Sequence, residues 1–328
     1  MKKITSILVS MAMIAAMFVL PVYAAAGDYA GGTGSADDPY QISNATQLAQ
    51  ASTDANASGG GGLCFKLTAD INYQNAEWTP IGSAVAYTGT FDGDGHKVSN
   101  LKVTTNYSSS AGVGFFGKAE QAKIKNLGVE NINLLTTESS YQGGFGGMVG
   151  FSWTATFTNC YVKSSSVVYS NSNRMAYVGG FVGRVGGGSK FENCYVYNTK
   201  ICGRGNEANG GFVGIDNNGT NKYTNCYTAK VTAVPSLSVD FPKRARTMYG
   251  FGCMSGTTPT VTNCYSTVAS IKGDTGTPEC DSANDMASAY TGMTTEAFLD
   301  AVVATGAYAT NSTINDGFPY LISKTIVA

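Results

Sequence analysis

Histidine is almost absent from this chain: His96 is the only one among 328 residues. That excludes the His-Glu-x-x-His helix of a zinc peptidase, which needs two imidazoles on one face beside a glutamate base. It also excludes a Ser-His-Asp set anywhere away from His96. Charge is scarce as well. Only 13% of residues are charged, and 21 basic side chains stand against 22 acidic ones. So even a balance gives no overall electrostatic footprint for nucleic acid or an anionic membrane. No Cys-x-x-Cys pair occurs among the 8 cysteines, so a metal site of the zinc-ribbon kind is not expected. No glycine loop precedes a lysine and a hydroxyl, and Asp92-Gly93-Asp94-Gly95 lacks the third acidic ligand and distal glutamate of a calcium loop. The expectation is a chain without cofactor or metal. Long apolar runs are missing too, apart from one at the start.

That run extends from Ile4 to Leu20 behind Met1-Lys2-Lys3 and closes with Val22-Tyr23-Ala24. A basic start, an apolar middle and a small-x-small ending predict a secretory signal peptide over residues 1–24. No second stretch approaches the ~20 apolar residues that span a bilayer. The mature chain is expected to be extracellular or surface-associated, with no integral membrane segment, and monomeric.

Glycine, tyrosine and asparagine are plentiful, and they recur. A glycine-rich apolar patch appears as Gly112-Val113-Gly114-Phe115-Phe116-Gly117, Gly147-Met148-Val149-Gly150, Gly179-Gly180-Phe181-Val182-Gly183 and Gly210-Gly211-Phe212-Val213-Gly214. A looser copy follows at Gly250-Phe251-Gly252. Each is followed by a shorter unit: Ile124-Lys125-Asn126-Leu127, then Phe157-Thr158-Asn159-Cys160-Tyr161 and its counterparts ending at Tyr195, Tyr227 and Tyr265. The asparagines at 126, 159, 193, 225 and 263 are spaced by 33, 34, 32 and 38 residues. A period of this size means stacked supersecondary units. Frequent glycine, β-branched and aromatic apolar residues and the absence of a helical stripe make those units strands. Two or three strands of four to six residues per unit would make one coil of a right-handed parallel β-helix, and a propeller blade, which needs four strands and usually ~40 residues, is the weaker alternative.

Strict alternation through Phe-x-Asn-Cys-Tyr would bury a polar side chain. A corner at the asparagine avoids this, because Asn tolerates the left-handed conformation. Asn126, Asn159, Asn193, Asn225 and Asn263 then form a structural ladder of amides, and Cys160, Cys194, Cys226 and Cys264 stack inside. Coils ~4.8 Å apart admit disulfides, and a tight core is equally served by buried free thiols. Both states stay open. Tyr161, Tyr195, Tyr227 and Tyr265 would point outward as an exposed aromatic row. Such a row is a platform for sugar rings or a stack that stabilises the sheet. The longest interval carries an insertion around 234–247 with the basic cluster Lys243, Arg244 and Arg246, a second candidate ligand-binding surface.

The segments before the repeats include Asp37-Asp38-Pro39-Tyr40-Gln41-Ile42, a helix opening at Ser43, Trp78-Thr79-Pro80-Ile81-Gly82 and Gly89-Thr90-Phe91-Asp92-Gly93. With the Gly-Gly-Phe-Val-Gly and Asn-Cys-Tyr units and the closing Asp316-Gly317-Phe318-Pro319-Tyr320-Leu321, this order resembles the GLUG-motif proteins of bacterial surfaces and secretomes. The resemblance implies a right-handed parallel β-helix, found in adhesin-like proteins and in the non-catalytic part of IgA-specific metallopeptidases.

The resulting expectation is an all-β protein: a right-handed parallel β-helix of about seven coils over 59–275, with short helical caps at both ends. Residues 25–58 would supply the N-terminal segment and capping helix, and 276–328 the C-terminal cap. No catalytic constellation is recognisable. The expected function is non-enzymatic, adhesin-like binding of glycans or of host or neighbouring cell surfaces, and the alternative is a polysaccharide lyase or glycosidase on the same scaffold.

Overall fold

In the computed structural model of the protein, described here for residues 29–104, 112–136, 143–169, 176–203, 209–217, 219–233, 248–267 and 295–322, each turn of the chain is built from short parallel strands. One complete coil runs through Gly143–Gly146, Val149–Trp153, Thr156–Thr158, Tyr161–Lys163 and Ser166–Tyr169. The next runs through Ala176–Gly179, Val182–Gly186, Lys190–Glu192, Tyr195–Tyr197 and Lys200–Cys202, each pairing in parallel with its predecessor. The strands are thus shorter and more numerous than the two or three per coil expected. The stacks form parallel sheets of 8, 7, 5, 5 and 4 strands, a parallel β-solenoid. The 8-stranded stack, which holds Phe157 and Phe191, is called the phenylalanine sheet below. The 7-stranded stack, which holds Tyr161 and Tyr195, is the tyrosine sheet. The stack of Val149–Trp153 and Val182–Gly186 is the glycine sheet. The first strand of the phenylalanine sheet, Tyr40–Ile42, already pairs with Phe65–Leu67, so the solenoid begins before the expected boundary at 59.

The corner between the phenylalanine and tyrosine sheets explains the asparagine period. Asn126, Asn159, Asn193, Asn225 and Asn263 have φ between 51° and 54°, the left-handed region. Asn and Gly bear that conformation with least strain. Each amide donates to the one a coil earlier: Asn159 to Asn126 at 3.0 Å, Asn193 to Asn159 at 3.0 Å, Asn225 to Asn193 at 3.0 Å and Asn263 to Asn225 at 3.1 Å. Asn126 ends the row on the Asp92 carboxylate at 3.1 Å. A second left-handed corner follows at Asn100, Asn131, Ser164, Asn198 and Lys230, where asparagine holds three of the five positions and the row is broken by Ser164 and Lys230.

Because the chain turns at the asparagine, the residues on both sides of it face inward. Phe157 stacks on Phe191 at 5.1 Å, and Phe191 on Tyr223 at 5.0 Å. Phe181 stacks on Phe212 at 4.6 Å, and Phe212 on Phe251 at 4.9 Å. Rings of the two columns meet edge to face, as Phe157 and Phe181 do at 84°. Offset stacking and edge contacts both suit the ring quadrupole, at ~0.5–1.5 kcal/mol per pair beyond burial. Cys160, Cys194, Cys226 and Cys264 fill the next inward position as buried free thiols. Cys194 lies 3.6 Å from the Phe157 carbonyl and 3.3 Å from that of Glu192, and burial pushes its thiol up. Cys253, outside the ladder, is disulfide-bonded. At Gly180 the coils approach too closely for a side chain: a Cβ there would sit 2.2 Å from the Gly211 carbonyl oxygen.

Helix α1 spans Ala45–Asn56 and tucks Leu48, Ala51 and Ala55 into the core. Its cap is Asn44, which accepts from the Gln47 amide at 3.0 Å, whereas Ser43 bonds the Gln47 side chain instead. Asn56 ties the helix to the 80–84 segment, donating to Pro80 and accepting from Gly82 and Ala84. Helix α2 spans Thr295–Val303. It was expected to close the far end of the solenoid. It lies on the flank instead, with Phe298 against Tyr227 at 5.6 Å.

The ladder gives a direct test. Asn193→Ala removes the amide and leaves a Cβ-bearing residue in the left-handed region, so it should destabilise by roughly 2–4 kcal/mol in chemical denaturation. Asn193→Gly keeps the backbone conformation and should cost roughly half as much. Equal losses for the two variants would show that the corner conformation is not what selects asparagine.

Candidate functional site

On the tyrosine sheet, Gly128, Tyr161, Tyr195, Tyr227 and Tyr265 occupy one register row. Alternation turns this row away from the main core, and its rings stack, Tyr161 on Tyr195 at 4.9 Å and Tyr195 on Tyr227 at 4.9 Å. The expected exposure of the row is corrected here. Tyr195, Tyr227 and Tyr265 are only 3%, 0% and 8% exposed. They form a second apolar cluster with Phe298, Val302 and Tyr308, so the C-terminal segment is what covers them.

The cover is held by specific bonds. The Tyr227 hydroxyl donates to the Pro319 carbonyl, and the Tyr308 hydroxyl reaches back to the Asn225 carbonyl at 2.8 Å. Asp316 accepts from Tyr197 at 2.8 Å and from Lys230 at 2.9 Å. The Lys230 ammonium, and then the Tyr197 hydroxyl, hold the Asp316 carboxyl below the usual carboxylate range. Burial raises the phenols of Tyr195 and Tyr227 well above their ordinary value.

Tyr161 is the exception in the row. It lies at the edge of the cover, half-buried, and beside it the row is interrupted at Gly128. A Cβ on Gly128 would come within 2.3 Å of the Tyr161 ring, so the ring leans across the glycine. A groove of about 340 Å³ lies between the tyrosine sheet, the asparagine corner and the C-terminal segment, with Gly128 and Tyr161 in its lining. Its solenoid wall carries Asn126, Asn159, Glu130, Lys163, Tyr161 and Tyr195. Its outer wall carries Ile314, Asn315, Tyr320, Leu321 and Ile322. Glu130 accepts from the Tyr161 hydroxyl at 2.9 Å and from Lys97 at 3.2 Å. Asp94, also on the rim, pairs with Lys66 at 3.0 Å. The groove therefore combines a ring face, side-chain amides and charges of both signs within one small volume. That combination suits a polar ring-shaped ligand.

Of the candidate residues read in the sequence, the groove brings together Tyr161, Tyr195, Asn126 and Asn159. Tyr227 and Tyr265 are buried away from it, and Lys243, Arg244 and Arg246 lie outside the described residues, as does the signal segment 1–24. Sequence reading missed Gly128, Glu130 and Lys163. The signal was present: Leu127-Gly128 stands where the later repeats have Cys-Tyr. Among the described residues no group of three or more His, Cys, Asp or Glu is placed to hold a metal ion. No helix among the described residues is long and apolar enough to cross a membrane.

Stacked parallel coils with inward aromatic columns and an asparagine ladder at one corner define the protein's class as a parallel β-solenoid. Residues 176–201 match the GLUG motif family, across the Gly179–Gly183 patch and the Asn193-Cys194-Tyr195 unit. The chain carries a GLUG motif there, in line with the resemblance read from its sequence. It is 31% identical over 166 residues to halomucin of Haloquadratum walsbyi (strain DSM 16790 / HBSQ001), a match covering 46% of this chain. This chain spans only 2% of halomucin's length. A provisionally assigned immunoglobulin A1 protease from Bacteroides ovatus has a similar crystal structure, with a TM-score of 0.58 at 21% identity. The likeness covers 90% of this chain and 96% of that one, and it concerns the fold.

The buried phenols set an alkaline limit. Tyr195, Tyr227, Tyr308 and Tyr223 have raised values when folded, chiefly through burial. A raised folded value means that stability is full below the unfolded pKa of ~10 and is lost as pH rises beyond it. Asp316 has the opposite sign: its contribution is present above ~3.9 and is lost as pH falls. Phenol ionisation followed by absorbance should therefore coincide with unfolding above pH ~10. Independent titration of these tyrosines in a folded chain would show that the cover does not seal the row.

Proposed function

We propose that the protein is a secreted, non-enzymatic binding protein that holds a glycan of a host or neighbouring cell surface in the groove beside Tyr161. The observation that carries this is the groove's lining. A half-buried tyrosine ring stands next to the Asn126 and Asn159 amides, the Glu130 carboxylate and Lys163 in about 340 Å³. A sugar ring has an apolar face and a rim of hydroxyls. The tyrosine face takes the first, and amides and carboxylate take the second. The N-terminal sequence Met1-Lys2-Lys3 with its apolar run supports secretion. Both carboxylates of the groove are engaged by lysines, Asp94 by Lys66 at 3.0 Å and Glu130 by Lys97 at 3.2 Å. Such pairing favours holding a ligand over donating a proton to one.

With Tyr195, Tyr227 and Tyr265 covered, binding concentrates at one groove and is not spread as avidity along a repeated face. The test is retention of the protein on insoluble polysaccharides, mucin and matrix proteins. Selective retention is expected on a glycan, and Tyr161→Ala should weaken it about tenfold, roughly 1.4 kcal/mol. Tyr161→Phe keeps the ring and should keep most of the retention. Retention on nothing, or a Tyr161→Ala variant that is folded and retained as well as the parent, would sink this reading.

A further inference from the structure

A second surface on the solenoid combines an exposed aromatic ring with cations that no carboxylate neutralises. Trp153 ends its strand of the glycine sheet and is 41% exposed. Its register partners are Glu120 on one side and Gly186 on the other. The indole lies over Gly186 and Gly187, where a Cβ would fall 2.6 Å and 2.8 Å from ring atoms. The two glycines thus seat the ring against the next coil. Beside it, in the row Lys118, Phe151, Arg184, the Phe151 ring has the Lys118 ammonium at 5.8 Å and the Arg184 guanidinium at 5.4 Å. Lys118 is paired with Glu120 at 2.8 Å, and Arg184 makes no ion pair among the described residues.

The chain turns the next corner through Thr154 and Gly187 into the phenylalanine sheet. The first outward row met there is Lys123, Thr156, Lys190, Lys222 and Thr260. Lys123, Lys190 and Lys222 are exposed, and none has an ion pair among the described residues. Lys190 and Lys222 are direct neighbours on adjacent coils ~4.8 Å apart. Like charges opposite one another in a sheet are destabilising. Several lysines elsewhere on the solenoid are matched: Lys125 has Asp92 at 2.9 Å, Lys97 has Glu130 at 3.2 Å and Lys66 has Asp94 at 3.0 Å. The parallel outward row of the same sheet does hold one exposed acid, Glu192, which forms no ion pair with these lysines. An unrelieved conflict beside an exposed tryptophan is the local pattern of a binding surface.

We infer that this corner binds an acidic polysaccharide laid along the solenoid axis, one sugar ring on Trp153 and its carboxylate or sulfate groups on Arg184, Lys190 and Lys222. Successive coils then meet successive sugars. The indole face takes a ring, and the cations take the acidic groups that relieve their mutual repulsion. The surface lies on different sheets from the Tyr161 groove, and its assignment does not depend on that site.

Intrinsic fluorescence gives the readout. The chain has 2 tryptophans, and the other, Trp78, is 0% exposed with its indole nitrogen on the Phe115 carbonyl at 3.0 Å. A ligand at the corner therefore changes the emission of Trp153 alone. The protein is titrated with polygalacturonate, with dextran sulfate, with neutral dextran and with single-stranded DNA. Emission is expected to change with one or both acidic polysaccharides, and which of them binds tells carboxylate from sulfate. The Lys190→Gln/Lys222→Gln double variant should bind about tenfold more weakly at low salt, with an unchanged melting midpoint. Trp153→Ala should lose retardation in gels containing the bound polymer. The inference is overturned if neither acidic polymer changes the emission, if dextran or DNA binds as tightly, or if the double variant binds like the parent.

Discussion

Backbone stacking at the asparagine corner is the constraint on which everything else in this solenoid rests. A chain that turns sharply at the same point of every coil strands a side chain there, with its nearest polar neighbour one coil away. Asparagine meets both demands, since it carries a donor and an acceptor and sits in the left-handed region at small cost. With φ held at 51–54° through five coils, the strands on either side keep one register. The rings within each aromatic column then fall face to face, and Sγ of each ladder cysteine falls beside a backbone carbonyl. Were the corner to slip by one residue, every inward side chain would turn outward.

The same register explains why the outward tyrosines had to be covered. Identical aromatic residues on successive coils form a continuous apolar stripe, and a stripe of that kind on a repeat protein invites association. The C-terminal segment removes it by laying Phe298, Tyr308 and Phe318 across rings from several coils. Its polar bonds fix where it stops. Asp316 on Lys230 and Tyr197, and Pro319 on Tyr227, anchor it over the later coils and leave Tyr161 at the margin.

How much of this was legible in the sequence follows from what is periodic. The asparagine corner, the inward Phe and Cys and the parallel stacking could be read, because each recurs at the coil period and each has a local physical reason. The five-strand coil could not, since strands of three residues such as Lys190–Glu192 are too short to show alternation. The second corner was hidden because Ser164 and Lys230 interrupt the asparagines at 100, 131 and 198, so its period is incomplete. Burial of Tyr195 and Tyr227 depends on a segment about a hundred residues away, and no local pattern carries that contact.

Function in such a scaffold has to be sought where the period breaks. Residues that repeat are committed to stacking: replacing one disturbs its neighbours on both coils. A residue that departs from its row is released from that duty. Gly128 replaces the tyrosine its row predicts, the Tyr161 ring leans into the space this leaves, and both residues line the groove. Trp153 stands in a row with Glu120 and Gly186, and the smallness of Gly186 is what lets an indole lie flat and open to solvent. Neither residue improves the stacking of its coil. Each leaves an aromatic face beside polar or charged groups at the surface, which is where a solenoid with a sealed core can meet a ligand.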